Sequence, residues 1–452
     1  MGWNLTIKRN LLIVAAVGLH ACATLGVYLI GRTAHVPPLF PDSLMYQKQI
    51  VALADVLIHS GIAAWLFALL PFHVKLYTLC FVLCGRWADF SILLIEPLNA
   101  FYYLAILYLV FKLSGQVFDR ATSLLAAGIV GLWPSFLAHT TQPLRDPLFI
   151  MVALLFLFIT LRWLTKDYSL LNALGIVALG VITECVLWVT RSEMWDLMIA
   201  ITFITWVLLI VRMSLRRKVV WGNLLGAALL LVIGVLIPRV AVQFYIPAYY
   251  WAASYGVATF DTDDAPAEGD NSAMPSVPDV PEQIKGYLPA RIFKLRETFI
   301  ISYPGAGSNI DTDVRFRSTA DIIAYLPRAM LIGLFAPFPR MWFAVGSQNG
   351  RLGRLVGGLE SLALYVIELM ALVGLWHNRR RLPAWWLCMA SIMGMMALGL
   401  VVTNVGALYR MRYLFVILLV ILGSEGIRLT FRLISSKTGS TAGKVAAHMA
   451  AD

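Results

Sequence analysis

The class of fold is decided by residues 147–213, which read PLFIMVALLFLFITLRWLTKDYSLLNALGIVALGVITECVLWVTRSEMWDLMIAITFITWVLLIVRM. Three predominantly apolar runs lie at about 147–164, 171–190 and 195–213, separated by short polar connections. An α-helix needs about 20 apolar residues to cross the hydrocarbon core of a bilayer. A transmembrane β-barrel would instead alternate apolar and polar residues over segments of about ten. The continuous runs therefore predict three consecutive membrane-spanning α-helices.

Composition extends this interpretation to the whole chain of 452 residues, of which 60% are hydrophobic and 13% charged. The mean hydropathy is +0.78. Soluble domains contain about 45–50% apolar and about 25% charged residues, so a soluble fold with this composition would leave large apolar areas in water. Soluble, disordered and disulfide-scaffold classes are excluded. The sequence predicts an all-α polytopic membrane protein with about 10–12 transmembrane helices and one long external loop.

Hydropathy and loop composition divide the chain into four parts. They are an N-terminal transmembrane module at 1–238 with an external loop at 32–50, an external loop region at 239–354, C-terminal transmembrane helices at 355–430, and a disordered cytoplasmic tail at 431–452. Within the external region, 322–339 is predicted to be re-entrant or interfacial, because a full crossing there would break the charge-based topology. Residues 51–94 form either a membrane hairpin or helices along the outer interface.

The net charge of +11, from 36 Lys and Arg against 25 Asp and Glu, suggests the orientation of the chain. Short basic connections such as 216–218 and 379–381 are typical of cytoplasmic loops. This bias explains the positive charge more economically than nucleic-acid binding does. We therefore expect both termini in the cytoplasm and a multi-pass location in the cell membrane, the inner membrane of a bacterium.

Four polar clusters fall at the external boundary that this topology predicts. They are Asp42 with Tyr46, Arg145 with Asp146, Arg191 with Glu193, and Arg410 with Arg412. Polar groups at membrane depth are costly and mark functional sites by default. A carboxylate there can act as a general base, and arginines can bind a phosphate through two parallel hydrogen bonds.

Each cluster also has a simpler interpretation. Asp42 and Asp146 are at positions where a carboxylate caps a helix, and Arg191 with Glu193 suits a surface ion pair. Two arginines in the sequence YRMRY suit interfacial anchors. The histidines lack the spacing of metal ligands, so no metal or other cofactor is assigned, and a divalent metal is left open.

The order of these features resembles integral-membrane glycosyltransferases of the GT-C superfamily, in the branch of the protein O-mannosyltransferases and the lipid A aminoarabinose transferase. The matching pieces are PDSLMYQ at 41–47, the stretch at 96–149 that begins EPLNAFYY and ends QPLRDPLF, and YRMRYLFVILLVILGSEGI at 409–427. The resemblance covers about 35–200 and 400–430. Here Ser43 follows Asp42, where that branch often has a second acid.

The resemblance implies a hexosyl- or pentosyltransferase that moves a sugar from a polyprenyl-phosphate donor to a glycan, lipid or protein acceptor on the external face. It implies Asp42 as the base, with Asp146 as an alternative base or as a group that orients the acceptor. Phosphate contacts would come from Arg410, Arg412 and Arg328, and the remaining substrate contacts from Tyr46, Arg145, Arg191 and Glu193. The partners would be this donor, the acceptor and membrane lipid, without nucleic acid.

Two other functions stay open at this point. A lipid-linked polysaccharide polymerase or O-antigen-type ligase would share the long external loop and the external arginines, but would bind a lipid diphosphate and a glycan. A lipid or glycan transporter is the alternative from a different class. Transporters often show an inverted repeat with corresponding broken helices, and the sequence has no such pattern.

Overall fold

The computed structural model describes residues 2–34, 41–85, 89–254, 278–302, 307–343 and 350–449. Over these residues the regular structure is helical, with one isolated antiparallel bridge between Asn309 and Asn404. The α-helices, in chain order, are α1 (Gly2–Ala34), α2 (Pro41–Phe67), α3 (Phe72–Gly85), α4 (Glu96–Ser114), α5 (Arg120–Gly131), α6 (Pro134–Thr140), α7 (Arg145–Thr165), α8 (Leu170–Thr190), α9 (Trp195–Arg216), α10 (Trp221–Ser254), α11 (Tyr287–Ser302), α12 (Thr319–Phe335), α13 (Gly350–His377), α14 (Leu382–Val401), α15 (Val405–Met411) and α16 (Tyr413–Met449).

Ten of the described helices are long and apolar enough to cross a membrane, and the bent pair α5–α6 gives up to eleven. The prediction of an all-α polytopic membrane protein with about 10–12 spans is thereby confirmed. The ten segments are Leu12–Arg32, Asp42–Phe67, Glu96–Ser114, Arg145–Thr165, Leu170–Thr190, Ser192–Arg216, Trp221–Val240, Gly353–His377, Leu382–Val401 and Tyr413–Ser435.

The apolar stretch at 121–139 does not form one continuous helix, because the chain bends by 68° between α5 and α6. Pro134 is the first residue of α6, and Trp133 before it is extended, with φ −72° and ψ 113°. Proline lacks the N–H that would continue the first helix, and its ring disfavours a helical conformation in the residue that precedes it. The bend turns α6 across the bundle and sets where α7 begins.

The segment predicted to be re-entrant folds largely as α12, which has 17 residues. A Cβ added to Gly333 would lie 2.0 Å from the carbonyl oxygen of Met395, and one added to Gly399 would lie 2.0 Å from that of Ala329. Helix α12 therefore runs antiparallel to the C-terminal half of α14, and these glycines let the two backbones approach closely. Whether 322–339 re-enters the membrane stays a prediction.

The basic connections meet at one end of the helix bundle. An ion pair of 2.6 Å joins Arg212 to Asp167, and another of 2.6 Å joins Arg428 to Asp119. The guanidinium of Arg381 donates to the carbonyl of Val117 at 3.1 Å. Connections that are far apart in sequence thus share one end, which we call the basic end.

Three segments are more helical than the sequence analysis expects. Helix α16 continues to Met449, so 431–449 is helical where a disordered tail was predicted. Helix α10 continues to Ser254, through the first part of the predicted external loop, and α2 begins at Pro41, inside the predicted loop 32–50. The tail contains Ala442, Ala446 and Ala447, and alanine has the highest intrinsic helix propensity. The acidic stretch at 261–277 and residues 450–452 lie outside the described residues.

The described residues that precede α12, from 278 onward, are fastened to the end of α14 by Arg296. This side chain is 1% exposed and donates to the carbonyls of Leu400 at 2.9 Å and Asp311 at 2.7 Å. A backbone hydrogen bond of 2.8 Å from Ile310 to Thr403 adds to the attachment. The region that precedes α12 therefore packs directly beside the start of α15.

Candidate functional site

Asp42 and Arg410 lie 368 residues apart and form an ion pair, with 2.8 Å between Oδ2 and Nη2. Asp42 is in the first turn of α2, and Arg410 is in the last turn of α15. The side chains are 43% and 19% exposed. The N-cap Asn404 begins α15, where its side chain accepts a hydrogen bond from the backbone of Ala407 at 3.0 Å. The pair is therefore partly open to solvent and built on helix ends.

Asp146 and Arg191 form a second ion pair, with 3.0 Å between Oδ1 and Nη1, and both side chains are buried. Helix α7 begins at Arg145, its N-cap is Leu144, and no side chain caps it. Asp146 therefore does not act as a helix cap. The Arg191 guanidinium also lies 5.2 Å from the ring centroid of Phe149. Burial costs charged groups much of their hydration, so each member of this pair depends on the other.

Arg145 pairs with Glu193 at 3.0 Å, and these side chains are 36% and 28% exposed. Glu193 also lies 3.6 Å from Nε of Arg191, so it contacts both arginines. The neighbours Arg145 and Asp146 thus pair with different partners in the turn after α8. That turn brings Arg191 back to the end of the bundle where α7 begins.

Tyr46 and Arg410 connect the three ion pairs into one group. The Tyr46 ring packs edge-on against His73, with 4.4 Å between centroids. Tyr46 is within electrostatic range of Asp42, Arg145, Asp146 and Arg191. The positive charge of Arg410 interacts electrostatically with both Arg145 and Asp146. We call the group the rim cluster: Asp42, Tyr46, Arg145, Asp146, Arg191, Glu193 and Arg410.

The rim cluster and the basic end are at opposite ends of the bundle. Helix α7 begins at Arg145 in the rim cluster and ends at Thr165, two residues before Asp167. Its 21 residues extend for about 30 Å, since an α-helix rises 1.5 Å per residue. Seven of the side chains selected from the sequence, from all four predicted clusters, therefore converge at one end.

Arg412 was predicted to contact phosphate, but its side chain lies outside the rim cluster. It is 2% exposed, and its guanidinium donates to the carbonyls of Gly333 and Leu334, each at 3.2 Å. These carbonyls belong to the last turn of α12, where a helix leaves its oxygens without intrahelical partners. Arg412 therefore caps the end of α12, and a phosphate contact by its side chain stays a prediction.

Arg328 also lies apart from the rim cluster. It makes two hydrogen bonds to Asp311, at 3.0 and 3.2 Å, and Tyr325 donates to the same carboxylate at 2.9 Å. Burial by itself would raise the pKa of Asp311, but the hydrogen bonds from Arg328 and Tyr325 and the charge of Arg328 hold the pKa below its usual value. Arg328 thus helps to fasten the segment around Asp311 to α12.

A polar network that the sequence analysis missed supports α15 from inside the bundle. The Glu360 carboxylate accepts hydrogen bonds from the backbone and hydroxyl of Ser135, at 2.7 and 2.5 Å, and from the hydroxyl of Tyr409. The hydroxyl of Tyr413 donates to that of Ser135 at 2.7 Å. Glu360 is 225 residues from Ser135, and no local motif signals the contact. The network fixes the residue that precedes Arg410.

No three His, Cys, Asp or Glu side chains come together as a metal site in the ranges that the structure describes. The rim cluster contains three carboxylates and three guanidinium groups, each joined to a partner of opposite charge. The arrangement can accept a proton at a carboxylate and bind an anion at a guanidinium. The expectation that the protein needs no cofactor stays a prediction, with a divalent metal left open.

Comparison with solved structures identifies the fold. The chain superposes on archaeal oligosaccharyltransferase AglB from Archaeoglobus fulgidus, solved in complex with an inhibitory peptide and a dolichol-phosphate, with a TM-score of 0.53 and 13% identity over 96% of this chain and 52% of that chain. The oligosaccharyltransferase of Archaeoglobus fulgidus in the apo form gives a TM-score of 0.49 and 13% identity, over 95% and 52% of the two chains.

The present chain thus spans about half the length of these proteins. No protein-family model and no curated protein matches it. At 13% identity the likeness to AglB shows the fold alone. The predicted all-α, GT-C-like membrane fold is confirmed. Membership of the GT-C superfamily, and of its branch with the protein O-mannosyltransferases and the aminoarabinose transferase, stays a prediction.

Proposed function

We propose that the protein is an integral-membrane glycosyltransferase that moves a sugar from a polyprenyl-phosphate donor to a cell-envelope acceptor on the external face of the membrane. The observation that carries this proposal is the convergence of Asp42 and Arg410, which places a carboxylate and a guanidinium 2.8 Å apart in a partly solvent-exposed rim. A sugar transfer of this kind needs one group to accept a proton and another to neutralise a phosphate.

In the proposed reaction, the Asp42 carboxylate takes the proton of an acceptor hydroxyl. The acceptor oxygen attacks the anomeric carbon, and the bond from that carbon to the phosphate oxygen breaks with inversion. The polyprenyl phosphate leaves with the bonding electron pair, and Arg410 and Arg145 stabilise its charge. Asp146 is the alternative base. Its buried pairing with Arg191 favours a structural role, because a base must reach the proton that it takes.

The fold supports a lipid-linked donor. The AglB structure, which has this fold, is a complex with a dolichol-phosphate and an inhibitory peptide. A polyprenyl-phosphate donor for the present chain is consistent with that complex, and so is a peptide or protein among the glycan, lipid and protein acceptors that the sequence suggests. Donor screening with purified protein would determine whether the transferred sugar is a hexose or a pentose.

The arginines of α15 provide the experiment that tests donor binding. Arg410→Ala is expected to weaken binding of a polyprenyl phosphate about ten- to a hundredfold, because a hydrogen bond to a charged group contributes about 1.5–3 kcal/mol. Arg410→Lys should fall between Ala and wild type, since lysine keeps the charge but loses the planar fork. Binding is measured with protein in nanodiscs, by titration with the lipid.

Arg412→Ala is the matched control, two residues away. It should lower the thermal stability, since the last carbonyls of α12 lose their donor, and the folded fraction should bind the lipid as wild type does. Equal donor binding by wild type and both Arg410 variants would refute the phosphate role of Arg410.

The orientation of the rim cluster is tested separately by cysteine labelling in a cysteine-free background. Lys294→Cys, on the exposed face of α11, should react in intact cells with a thiol reagent that cannot cross membranes. Arg217→Cys, at the basic end, should react only after the cells are opened, because basic connections stay in the cytoplasm. The reverse pattern would place the rim cluster in the cytoplasm and overturn the external-face assignment.

A further inference from the structure

The three ion pairs of the rim cluster differ in how easily a ligand can open them. Asp42–Arg410 and Arg145–Glu193 are partly exposed, whereas Asp146–Arg191 has side-chain exposures of only 5% and 4%. Exposed ion pairs contribute little to stability, about 0.2–1 kcal/mol. Separating a buried pair leaves two charges without compensation and is strongly unfavourable. An incoming anion can therefore exchange with the outer carboxylates, while the inner pair stays closed.

The pairing of Asp42 with Arg410 affects the carboxylate that we assign as the base. A hydrogen bond from Nη2 of Arg410 occupies Oδ2 of Asp42, at 2.8 Å. The lone pair that accepts this hydrogen bond is not available for the proton of an acceptor hydroxyl. In the resting arrangement, the group that we assign as the base is engaged by the group that we assign to the donor phosphate.

We propose that Asp42 and Arg410 form a latch, in which the phosphate of the lipid donor takes over the Arg410 guanidinium and so frees Asp42 to accept the acceptor proton. This inference rests on the proposed function and adds the coupling between its two substrates. The base becomes competent only when the donor is bound. Water and acceptor hydroxyls are consequently not activated in an empty site.

The supporting elements favour such an exchange. Helix α15 is a single short helix of 7 residues, and it is fixed at its start by Asn404 and from inside by the Tyr409–Glu360 contact. Its backbone therefore stays in place while the Arg410 side chain changes partner. Arg145 lies close enough to Arg410 to act on it electrostatically, and it adds positive charge where the phosphate arrives.

The test is the affinity of the full-length protein for polyprenyl phosphate in phosphatidylcholine nanodiscs. Asp42→Asn should tighten binding about 1.4- to fivefold, the range that corresponds to the free energy of an exposed ion pair, because the lipid no longer competes with the carboxylate. The same substitution in an Arg410→Ala background, titrated to higher lipid concentrations, should leave the affinity unchanged. This double-mutant cycle isolates the coupling between the two residues.

Glu193→Gln is the matched control for general charge repulsion, since Glu193 pairs with Arg145 rather than with Arg410. Its effect on lipid binding should be the same in both backgrounds. An Asp42→Asn effect that persists in the Arg410→Ala background is repulsion through space and overturns the latch. Unchanged affinity of the Asp42→Asn single variant overturns it as well. A wild-type protein that does not bind polyprenyl phosphate at all instead refutes the proposed function, and with it the latch.

Discussion

Asp42→Asn is expected to lower the rate of sugar transfer by about 10²–10⁴-fold, the range for loss of a general base. The Asp42 side chain is 43% exposed and pairs with a partly exposed arginine. Its replacement by an isosteric amide should therefore change the melting temperature little. The loss should appear in kcat, because the latch predicts that the donor binds at least as tightly as before. Initial rates with a labelled lipid donor and thermal unfolding in detergent measure both quantities.

Asp55→Asn is a suitable control, because Asp55 lies on the same helix α2 and is exposed outside the rim cluster. It should keep near wild-type activity and stability. If Asp42→Asn also transfers sugar at close to the wild-type rate, the base role passes to Asp146 or is withdrawn. A large fall in melting temperature would instead assign Asp42 to the folding of α2.

Arg191→Met is expected to destabilise the fold by about 3–5 kcal/mol, because it leaves the buried Asp146 carboxylate without its partner. Thermal unfolding followed by tryptophan fluorescence measures the effect. The double variant Arg191→Met/Asp146→Leu should recover most of the loss, since it removes both charges together.

Arg145→Met is the matched control for this pair. It removes an arginine from the partly exposed pair with Glu193, so the cost in stability should be about 0.2–1 kcal/mol. Equal stability losses in the two arginine variants would mean that Asp146–Arg191 is no more structural than the outer pairs, and Asp146 would regain its standing as a base candidate.

The rim cluster shows which features of a site residue chemistry and loop charge can predict. The sequence selects Asp42, Arg145, Asp146, Arg191 and Arg410 because ionisable groups at helix ends are few in a chain with 13% charged residues. Counting helices then assigns them to one end of the bundle. Their pairing is not predictable in this way. Asp146 and Arg145 are neighbours in sequence, but each bonds to a partner in the turn after α8.

Arg410 and Arg412 are a second case in which the sequence does not predict the partner of a side chain. They are two residues apart, and the sequence offers the same interpretations for both. In the structure, Arg410 pairs with Asp42, whereas Arg412 caps α12. The difference depends on where α12 ends, about 75 residues earlier in the chain, and on the bundle that brings that end beside α16. The sequence around the two arginines indicates neither where α12 ends nor which helix end packs beside α16.

The sequence by itself determined the class of the protein, the number of its apolar helices and the short list of charged candidates. Transfer from water into lipid is a property of each segment, so hydropathy and loop charge can be read locally. The tertiary structure alone decided the bend at Pro134, the close contact of α12 with α14, the cap on α12 and the three ion pairs of the rim cluster. These depend on contacts between residues as many as 368 positions apart, and such contacts form only when the helices pack and bring both partners together.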